Sequence, residues 1–251
     1  MCRKLALAAT AQILATLLAA ASPALAKAPA PDKAAAAANI QDRLAADRLD
    51  PLAQAAFWQS QVNTDPKDAE AGIKLAASLR RIGRYQEASD AAQAVLVYAP
   101  ASIDGLLETA RAAIADNQGF FAVDPARKAM ALAPRDWRAP SLLAVALEQA
   151  SRPAEAQVAH AQALSLAPDN PTVLSNAAMF HAAQGDKPQA EALLRKAVAA
   201  PGAGLQVRQN LALVLGLQGK LAEGEQIQRQ DLPPQMADNN LAYLKAAFGT
   251  K

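Results

Sequence analysis

The sequence is poor in the residues that most often do chemistry. It has one cysteine, Cys2, two histidines, His160 and His181, and only 4% aromatic residues. A lone cysteine forms no intramolecular disulfide, and the two histidines fall on different predicted helices, so neither type has the spacing of a metal site. No glycine-rich phosphate loop or nucleophile elbow is present. These absences predict a protein that is not an enzyme, with no catalytic residue, metal or cofactor.

The remaining titratable candidates have simple structural interpretations. His181 falls on the predicted packing stripe of its helix, so we interpret it as a core or edge residue rather than a ligand. Glu223 and Glu225 lie on a predicted helix surface, where we expect their carboxylates to be solvated.

The first 26 residues have the pattern of a cleavable signal peptide. Arg3 and Lys4 precede an uncharged apolar run over residues 5–21, and Ala24-Leu25-Ala26 fits a cleavage site before Lys27. The alternative is an uncleaved N-terminal anchor, because the run approaches the roughly 18 apolar residues that span a bilayer. The cleavage site favours removal, so the sequence predicts a periplasmic protein.

Removal of the leader changes both the charge and the cysteine content. The chain has 25 Lys and Arg against 23 Asp and Glu, and the two totals become equal once Arg3 and Lys4 are lost. A neutral chain has no electrostatic footprint for nucleic acid, so we expect no such partner. Cys2 precedes the apolar run, whereas a lipidated cysteine follows it, so no direct lipid anchor is evident.

Prolines at a nearly fixed spacing organise the rest of the chain. Pro66, Pro100, Pro134 and Pro168 recur at equal intervals of about 34 residues, and Pro201 follows one position early. This period is typical of helix–turn–helix arrays, in which each unit buries its apolar face against its neighbours. We predict a flexible Ala/Pro-rich linker over 27–40 and a solenoid over 41–250. Its full repeats are predicted over 69–102, 103–136, 137–170, 171–204 and 205–232, with a capping helix over 235–248.

The ends of the predicted helices also carry local signals. Asp50-Pro51 and Asn170-Pro171 each have the pattern of an N-cap followed by proline at the first helical position. The helix after Asp50, with a preceding helix over 41–48, is predicted to form a degenerate first unit, as terminal units of solenoids commonly do.

The unit after Pro66 resembles the tetratricopeptide repeat. It has a small residue at Ala76, a Gly-x-Tyr-x-x-Ala pattern at Gly83, Tyr85 and Ala88, and a proline at Pro100. The resemblance implies an all-α fold, a tetratricopeptide-repeat α-solenoid in which helical hairpins form a right-handed superhelix, closed by a C-terminal capping helix. In the last repeat, Gly224 stands where the family has alanine.

The second repeat departs most from the pattern. Asn117 replaces the glycine, and Phe120 and Phe121 are followed by Asp124-Pro125 inside the predicted second helix. Because an interior proline costs about 3 kcal/mol, the helix either kinks or starts late, with Asp124 as N-cap. The phenylalanines are either exposed contact residues or fillers of a gap beside the proline.

Three stretches resemble the tight-adherence (Flp) pilus assembly tetratricopeptide proteins, the TadD-like family: APRDWR at 133–138, VRQNLALVLGLQG at 207–219 and DLPP at 231–234. The resemblance implies a non-enzymatic accessory factor of pilus secretion, with protein partners such as the pilus secretin or other Tad components. Members are commonly lipoproteins, but the absence of a cysteine after the apolar run favours a periplasmic form that reaches the outer membrane through partners. The alternative is a general periplasmic scaffold or chaperone for exported or outer-membrane proteins.

In tetratricopeptide proteins the first helix of each hairpin lines a concave, partner-binding face. This implies a groove that begins charged and becomes apolar, with Asn176 and Asn210 at matching places in adjacent repeats, each three positions before an apolar side chain. We expect these amides to hydrogen-bond the backbone of a bound segment. That the charged residues are merely solvated remains the alternative. Leu107, Val145 and Glu148 are also predicted to face inward, and the main candidates are Lys74, Arg80, Arg81, Arg111, Arg138, Asn176, Met179, Asn210, Leu213 and Leu217.

Overall fold

The computed structural model describes residues 38–248, with side chains up to Tyr243. The predicted signal peptide, Cys2 and residues 27–37 of the predicted linker lie outside the described residues. Over the described range the chain forms thirteen α-helices and no strand. The helices are α1 (Ile40–Ala46), α2 (Pro51–Thr64), α3 (Ala69–Arg81), α4 (Tyr85–Tyr98), α5 (Ile103–Ala115), α6 (Gly119–Leu132), α7 (Arg138–Gln149), α8 (Pro153–Leu166), α9 (Pro171–Ala183), α10 (Lys187–Ala199), α11 (Leu205–Leu217), α12 (Leu221–Asp231) and α13 (Pro234–Phe248).

Helical hairpins stack in chain order, which confirms the predicted α-solenoid. From α3 to α12, consecutive helices pair as hairpins, and each hairpin packs on the next. We call α3, α5, α7, α9 and α11 the inner row, because each contacts the next member of the set. We call α4, α6, α8, α10 and α12 the outer row. Within residues 38–248 the outer-row backbones pack on the inner row and not on one another.

Side-chain caps begin several helices where the sequence predicts them. Asp50 Oδ1 accepts hydrogen bonds from the backbone N–H groups of the second and third residues of α2, with Pro51 at the first position. Asn170 caps α9 in the same way before Pro171. Both predicted caps are therefore confirmed. Each satisfies two N–H groups that would otherwise lack a partner at the helix start.

A small residue, alanine in four of the five full hairpins, lies at the crossing between the two helices of each hairpin. Ala88, Ala122, Ala156 and Ala190 hold the same place in four successive repeats, and all are fully buried. The fifth member of this series is Gly224, where an added Cβ would lie 2.9 Å from the backbone oxygen of Ala212. The glycine that departs from the family pattern is thus explained, because the last hairpin crosses too closely for alanine.

The turn inside each full hairpin contains one residue with positive φ. These residues also recur once per repeat: Gly83 at φ 81°, Asn117 at 57°, Ser151 at 58°, Gly185 at 88° and Gly219 at 78°. Asparagine tolerates the left-handed conformation better than most residues, which explains how it replaces glycine at position 117. Serine at position 151 has no comparable tolerance and is the strained member of the series.

The second helix of the second repeat runs through its proline. Helix α6 begins at Gly119 and contains Pro125, so the alternative in which the helix starts late at Asp124 is wrong. Three buried residues around the proline, Ala122, Val123 and Ala126, pack into the core and offset the lost hydrogen bond. The gap-filling interpretation of the phenylalanines is also wrong, because Phe120 is 73% and Phe121 65% exposed.

Candidate protein-binding surface

The charged half of the inner row contains a buried carboxylate between two guanidinium groups. Arg80 Nε donates to Glu108 Oε1 at 2.6 Å, and Arg111 Nη1 donates to Glu108 Oε2 at 3.2 Å. The Glu108 side chain is only 3% exposed. Because Arg80 belongs to α3 and Glu108 to α5, this cluster joins two adjacent repeats.

Two further cationic side chains that were predicted to line the groove also donate hydrogen bonds to acceptors within the chain. Lys74 Nζ lies 2.7 Å from both carboxylate oxygens of Asp47, which ends α1, and 5.8 Å from the centre of the Trp58 ring. Arg81 Nη2 donates to Gln54 Oε1 at 2.9 Å. Both contacts tie α3 to the degenerate first unit.

Arg138 connects the second and third repeats. Its Nη1 donates to Asp104 Oδ1 at 2.8 Å, and its Nη2 donates to Asp136 Oδ2 at 2.6 Å. The hydrogen bond from Arg138 lowers the pKa of Asp136 below its ordinary value. Each of the five cations predicted to line the groove is therefore engaged within the chain. Their contribution to partner binding stays a prediction, and their contacts hold repeats together.

The other half of the inner row contains a ladder of asparagine and serine. Asn176 Nδ2 on α9 donates to Ser141 Oγ on α7 at 3.1 Å. Asn210 Nδ2 on α11 donates to Ser175 Oγ on α9 at 2.9 Å. Both serines are buried, whereas both asparagines are partly exposed. The side-chain nitrogen of asparagine carries two hydrogens. One of them forms the hydrogen bond to the serine, and the other takes no part in that bond.

Beside this ladder runs a stripe of half-buried apolar side chains, which we call the inner stripe: Val145, Met179 and Leu213. They hold the same place in three successive repeats, on the inner-row helices α7, α9 and α11. Leu217, also half-buried, extends the apolar surface to the end of α11, where its carbonyl accepts a hydrogen bond from Lys187 Nζ at 2.7 Å. The structure thus places four of the five predicted apolar residues and the two asparagines on the inner-row helices of the last three repeats.

One predicted placement needs correction. Leu107 does not face inward, because it is fully buried and packs in the core between α5, α6 and α7. Among the histidines, the core residue is His160, whose Nε2 lies 2.6 Å from Glu148 Oε1. His181 lies at the edge, with its side chain 30% exposed, which agrees with its interpretation as a core or edge residue.

The two surface carboxylates predicted to be solvated are partly exposed and also form ion pairs. Glu223 accepts a hydrogen bond from Arg195 Nη2 at 2.6 Å, and Glu225 accepts one from Arg229 Nε at 2.8 Å. Among residues 38–248, no group of three or more His, Cys, Asp or Glu side chains is placed to hold a metal ion. Over the same part of the chain, no helix combines the length and apolar character needed to cross a bilayer.

Sequence reasoning missed the acceptors that engage the groove residues. Gln54, Glu108, Ser141 and Ser175 are buried polar residues with partners in a neighbouring repeat or helix. One usable signal was present. Both Ser–Asn pairs have a sequence separation of 35, one more than the repeat, so a serine and the asparagine of the next inner helix lie side by side.

Comparisons with known proteins agree with this architecture. The tetratricopeptide repeat family model matches residues 147–202. A comparison with curated protein sequences found no match. The solved structure of TTC0263, a thermophilic TPR protein of Thermus thermophilus, is 20% identical, covers 70% of this chain and 94% of its own, and has a TM-score of 0.61.

Two other solved structures have a similar fold. A tetratricopeptide repeat protein from Parabacteroides merdae ATCC 43184 is 14% identical over 82% of this chain and 84% of its own, with a TM-score of 0.62. MamA from Desulfovibrio magneticus RS-1 is 20% identical over 63% and 89%, with a TM-score of 0.54. At these identities the likeness shows the fold alone, and with the family match it supports the assignment as a tetratricopeptide repeat protein.

Proposed function

We propose that this tetratricopeptide-repeat chain is a non-enzymatic periplasmic adaptor that assists assembly of an Flp/Tad pilus. Repeat arrays of this fold typically act as scaffolds for protein partners. In this chain we assign the partner-binding role to the inner faces of α7, α9 and α11. The partner we favour is the pilus secretin or another component of the same secretion machine.

The observation that carries the proposal is the contrast between the two halves of the inner row. In the first half, cations and carboxylates neutralise one another, as at Glu108, and a charged partner would have to break these pairs. In the second half, the inner stripe presents half-exposed apolar side chains next to amides that keep one N–H donor. Apolar surface beside a few placed polar groups is the usual composition of a recognition site.

This surface suits an extended and uncharged protein segment. The remaining N–H of Asn176 or Asn210 can donate to a backbone carbonyl, which fixes the segment without selecting a side chain. Met179 is flexible and adapts to side chains of different shape. Specificity would then come from the apolar residues of the partner and from their spacing.

The pilus assignment rests on the three stretches that resemble the TadD-like family. In this fold, residues of these stretches also form contacts between helices. Arg208 in the second stretch donates through Nε to Asp231 in the third at 2.7 Å, which joins α11 to the end of α12. Arg138 in the first stretch donates to Asp136 of the same stretch and to Asp104 of α5, which links the second and third repeats. These residues thus help to hold together the repeats whose inner-row helices carry the inner stripe.

Export is tested by N-terminal sequencing of the protein recovered from the cell envelope. Cleavage before Lys27 should give a mature chain that begins there. A protein recovered from the cytoplasm that still begins at Met1 or Cys2 would contradict the periplasmic assignment. A membrane-bound protein that keeps its leader would favour the uncleaved anchor.

Partner binding is tested by affinity purification from envelope extracts after chemical cross-linking. A carboxylate introduced by Met179→Asp should abolish recovery of the secretion components, because it places a charge in the inner stripe. Val97→Asp is the matched control, since Val97 is 74% exposed on the outer-row helix α4. Equal recovery with both variants would contradict the proposed site. Recovery of many unrelated exported chains would favour the general scaffold or chaperone instead.

A further inference from the structure

The outer row carries an exposed aromatic pair. Phe120 and Phe121 begin α6, and their ring centroids lie 5.5 Å apart with the planes nearly perpendicular. Both side chains are largely exposed, in a chain that has only five phenylalanines. Large exposed aromatic groups are unusual on the surface of a monomer and are enriched where proteins associate.

The backbone beneath the pair is fixed by close packing. At Gly119, an added Cβ would lie 2.4 Å from Gln149 Cβ and 2.6 Å from the backbone oxygen of Ala146. The start of α6 is therefore pressed against α7, and this position tolerates no side chain. The two phenylalanines that follow are held on the outer side by a rigid part of the fold.

Ion pairs occupy the same place in the two neighbouring repeats. Arg84 is paired with Glu87 at the start of α4, and Arg152 with Glu155 at the start of α8. We call these the rim pairs. In the repeat alignment both arginines correspond to Gln118 and both glutamates to Phe121, so the second repeat has an aromatic group where the others have a charge. The result is an apolar centre with a mixed-charge rim on both sides.

We propose that this face, formed by the starts of α4, α6 and α8, binds a second copy of the chain in an antiparallel twofold dimer. A twofold axis that runs across the three helices at the level of their first turns places the start of α6 of one copy antiparallel to the start of α6 of the other. The phenylalanines of the two copies then pack together. This surface is on the outer row, so it is separate from the partner-binding face.

The same axis makes the rim complementary to itself. Reversal of the helix direction brings Arg84 opposite Glu87 of the second copy, and Arg152 opposite Glu155 of the second copy. Opposite charges therefore meet on both sides of the aromatic centre, as a self-complementary twofold interface requires. A partner that presented one sign of charge would meet repulsion from half of the rim. This charge pattern disfavours a partner of one charge sign and fits a second copy of the chain.

The dimer is tested by measuring mass in solution from about 1 to 100 μM, a range that covers weak homodimers. We expect the protein to approach twice its monomer mass as the concentration rises. Phe120→Ser with Phe121→Ser should weaken dimerisation about tenfold or more, because buried aromatic groups dominate such interfaces. Val97→Ser, which also removes an exposed apolar side chain of the outer row, should leave the dimer unchanged.

A charge swap distinguishes this geometry from nonspecific association. Glu87→Arg should weaken the dimer, and combining it with Arg84→Glu should restore it, because the exchanged charges again face their opposites. A mixture of the parent and the doubly exchanged chain should form fewer mixed dimers than random pairing gives. A parent that stays monomeric, a dimer unaffected by the serine substitutions, or random mixing would each overturn the proposal. If the serine variant does not fold, the charge variants decide.

Discussion

Asn210 and Ser175 join the last two inner helices through a hydrogen bond from the asparagine Nδ2 to the serine Oγ, at 2.9 Å. Asn176 and Ser141 repeat the relationship one unit earlier, at 3.1 Å. The asparagines proposed to contact a partner thus also satisfy buried hydroxyl groups between repeats. Any substitution of these asparagines therefore changes both the stability of the solenoid and its surface.

Replacing both asparagines should weaken partner binding and lower stability together. We expect Asn176→Ala with Asn210→Ala to weaken binding about tenfold, because each lost hydrogen bond contributes about 0.5–1.5 kcal/mol. The unsatisfied serines should lower the free energy of unfolding by about 1–3 kcal/mol. Calorimetry with the co-purified partner measures the first effect and thermal unfolding the second.

The matched control removes the other half of the ladder. Ser141→Ala with Ser175→Ala breaks the same two hydrogen bonds between repeats but leaves both amides on the inner face. This variant should lose little affinity. If it weakens binding as much as the asparagine variant does, the amides act only through the fold and do not contact the partner.

Glu108→Gln should destabilise the junction between the first two full repeats. The substitution removes the one carboxylate that accepts from both Arg80 and Arg111, and the Glu108 side chain is almost completely buried. We expect a loss of about 2 kcal/mol in the free energy of unfolding, because both arginines are partly exposed and water compensates some of the change. Chemical denaturation measures the loss. A difference below about 0.5 kcal/mol would show that the cluster is held by packing alone.

Features set by a single residue's size or backbone conformation could be predicted from the sequence. The prolines indicated the repeat, Ala88 and its equivalents indicated the helix crossings, and Gly83 indicated a turn. Each of these requirements belongs to one position and recurs once in every repeat. The fold follows from such local rules because every repeat packs only on its neighbours.

Features that depend on a choice among several partners could not be predicted. From the sequence, Arg80 could pair with a carboxylate on any neighbouring helix, and only the packed structure selects Glu108. Leu107 was misplaced because a shift of one residue turns a helical side chain by about 100°, which moves it from the inner face into the core. Helix α6 continues through Pro125 because burial of the neighbouring side chains outweighs the cost of a proline inside a helix. A rule that considers only the proline does not include this burial.

Ser151→Gly should stabilise the protein. Ser151 has φ 58° at the position where three of the other four full hairpins have glycine. A non-glycine residue in this conformation carries strain of about 1 kcal/mol, so we expect a gain of about 0.5–1 kcal/mol despite the added freedom of the unfolded chain. Thermal unfolding measures the gain. Ser165→Gly in helix α8 is the control and should destabilise, because glycine is unfavourable inside a helix.

The last prediction concerns stability at acid pH and rests on Glu191 of α10. Its carboxylate accepts hydrogen bonds from Lys220, Arg195 and Gln218, and the pair with Lys220 contributes most to lowering its pKa from 4.5 to about 2. A carboxyl with a lowered pKa stabilises the fold at pH above its unfolded value. That contribution is lost as the pH falls from about 4.5 to about 2.

Glu191→Gln should therefore destabilise the protein near neutral pH, by about 1–2 kcal/mol, because solvent screens the partly exposed Lys220 and Arg195. The difference from the parent should shrink below pH 4.5 and become small as the pH falls through about 2, where the parent carboxyl also takes up its proton. Glu225→Gln is the control, since this half-exposed residue has Arg229 of the next helical turn as its ion-pair partner. It should change stability by less than about 0.5 kcal/mol. A Glu191→Gln difference that stays constant from about pH 7 to about pH 2 would show that the carboxylate charge is not what stabilises this junction.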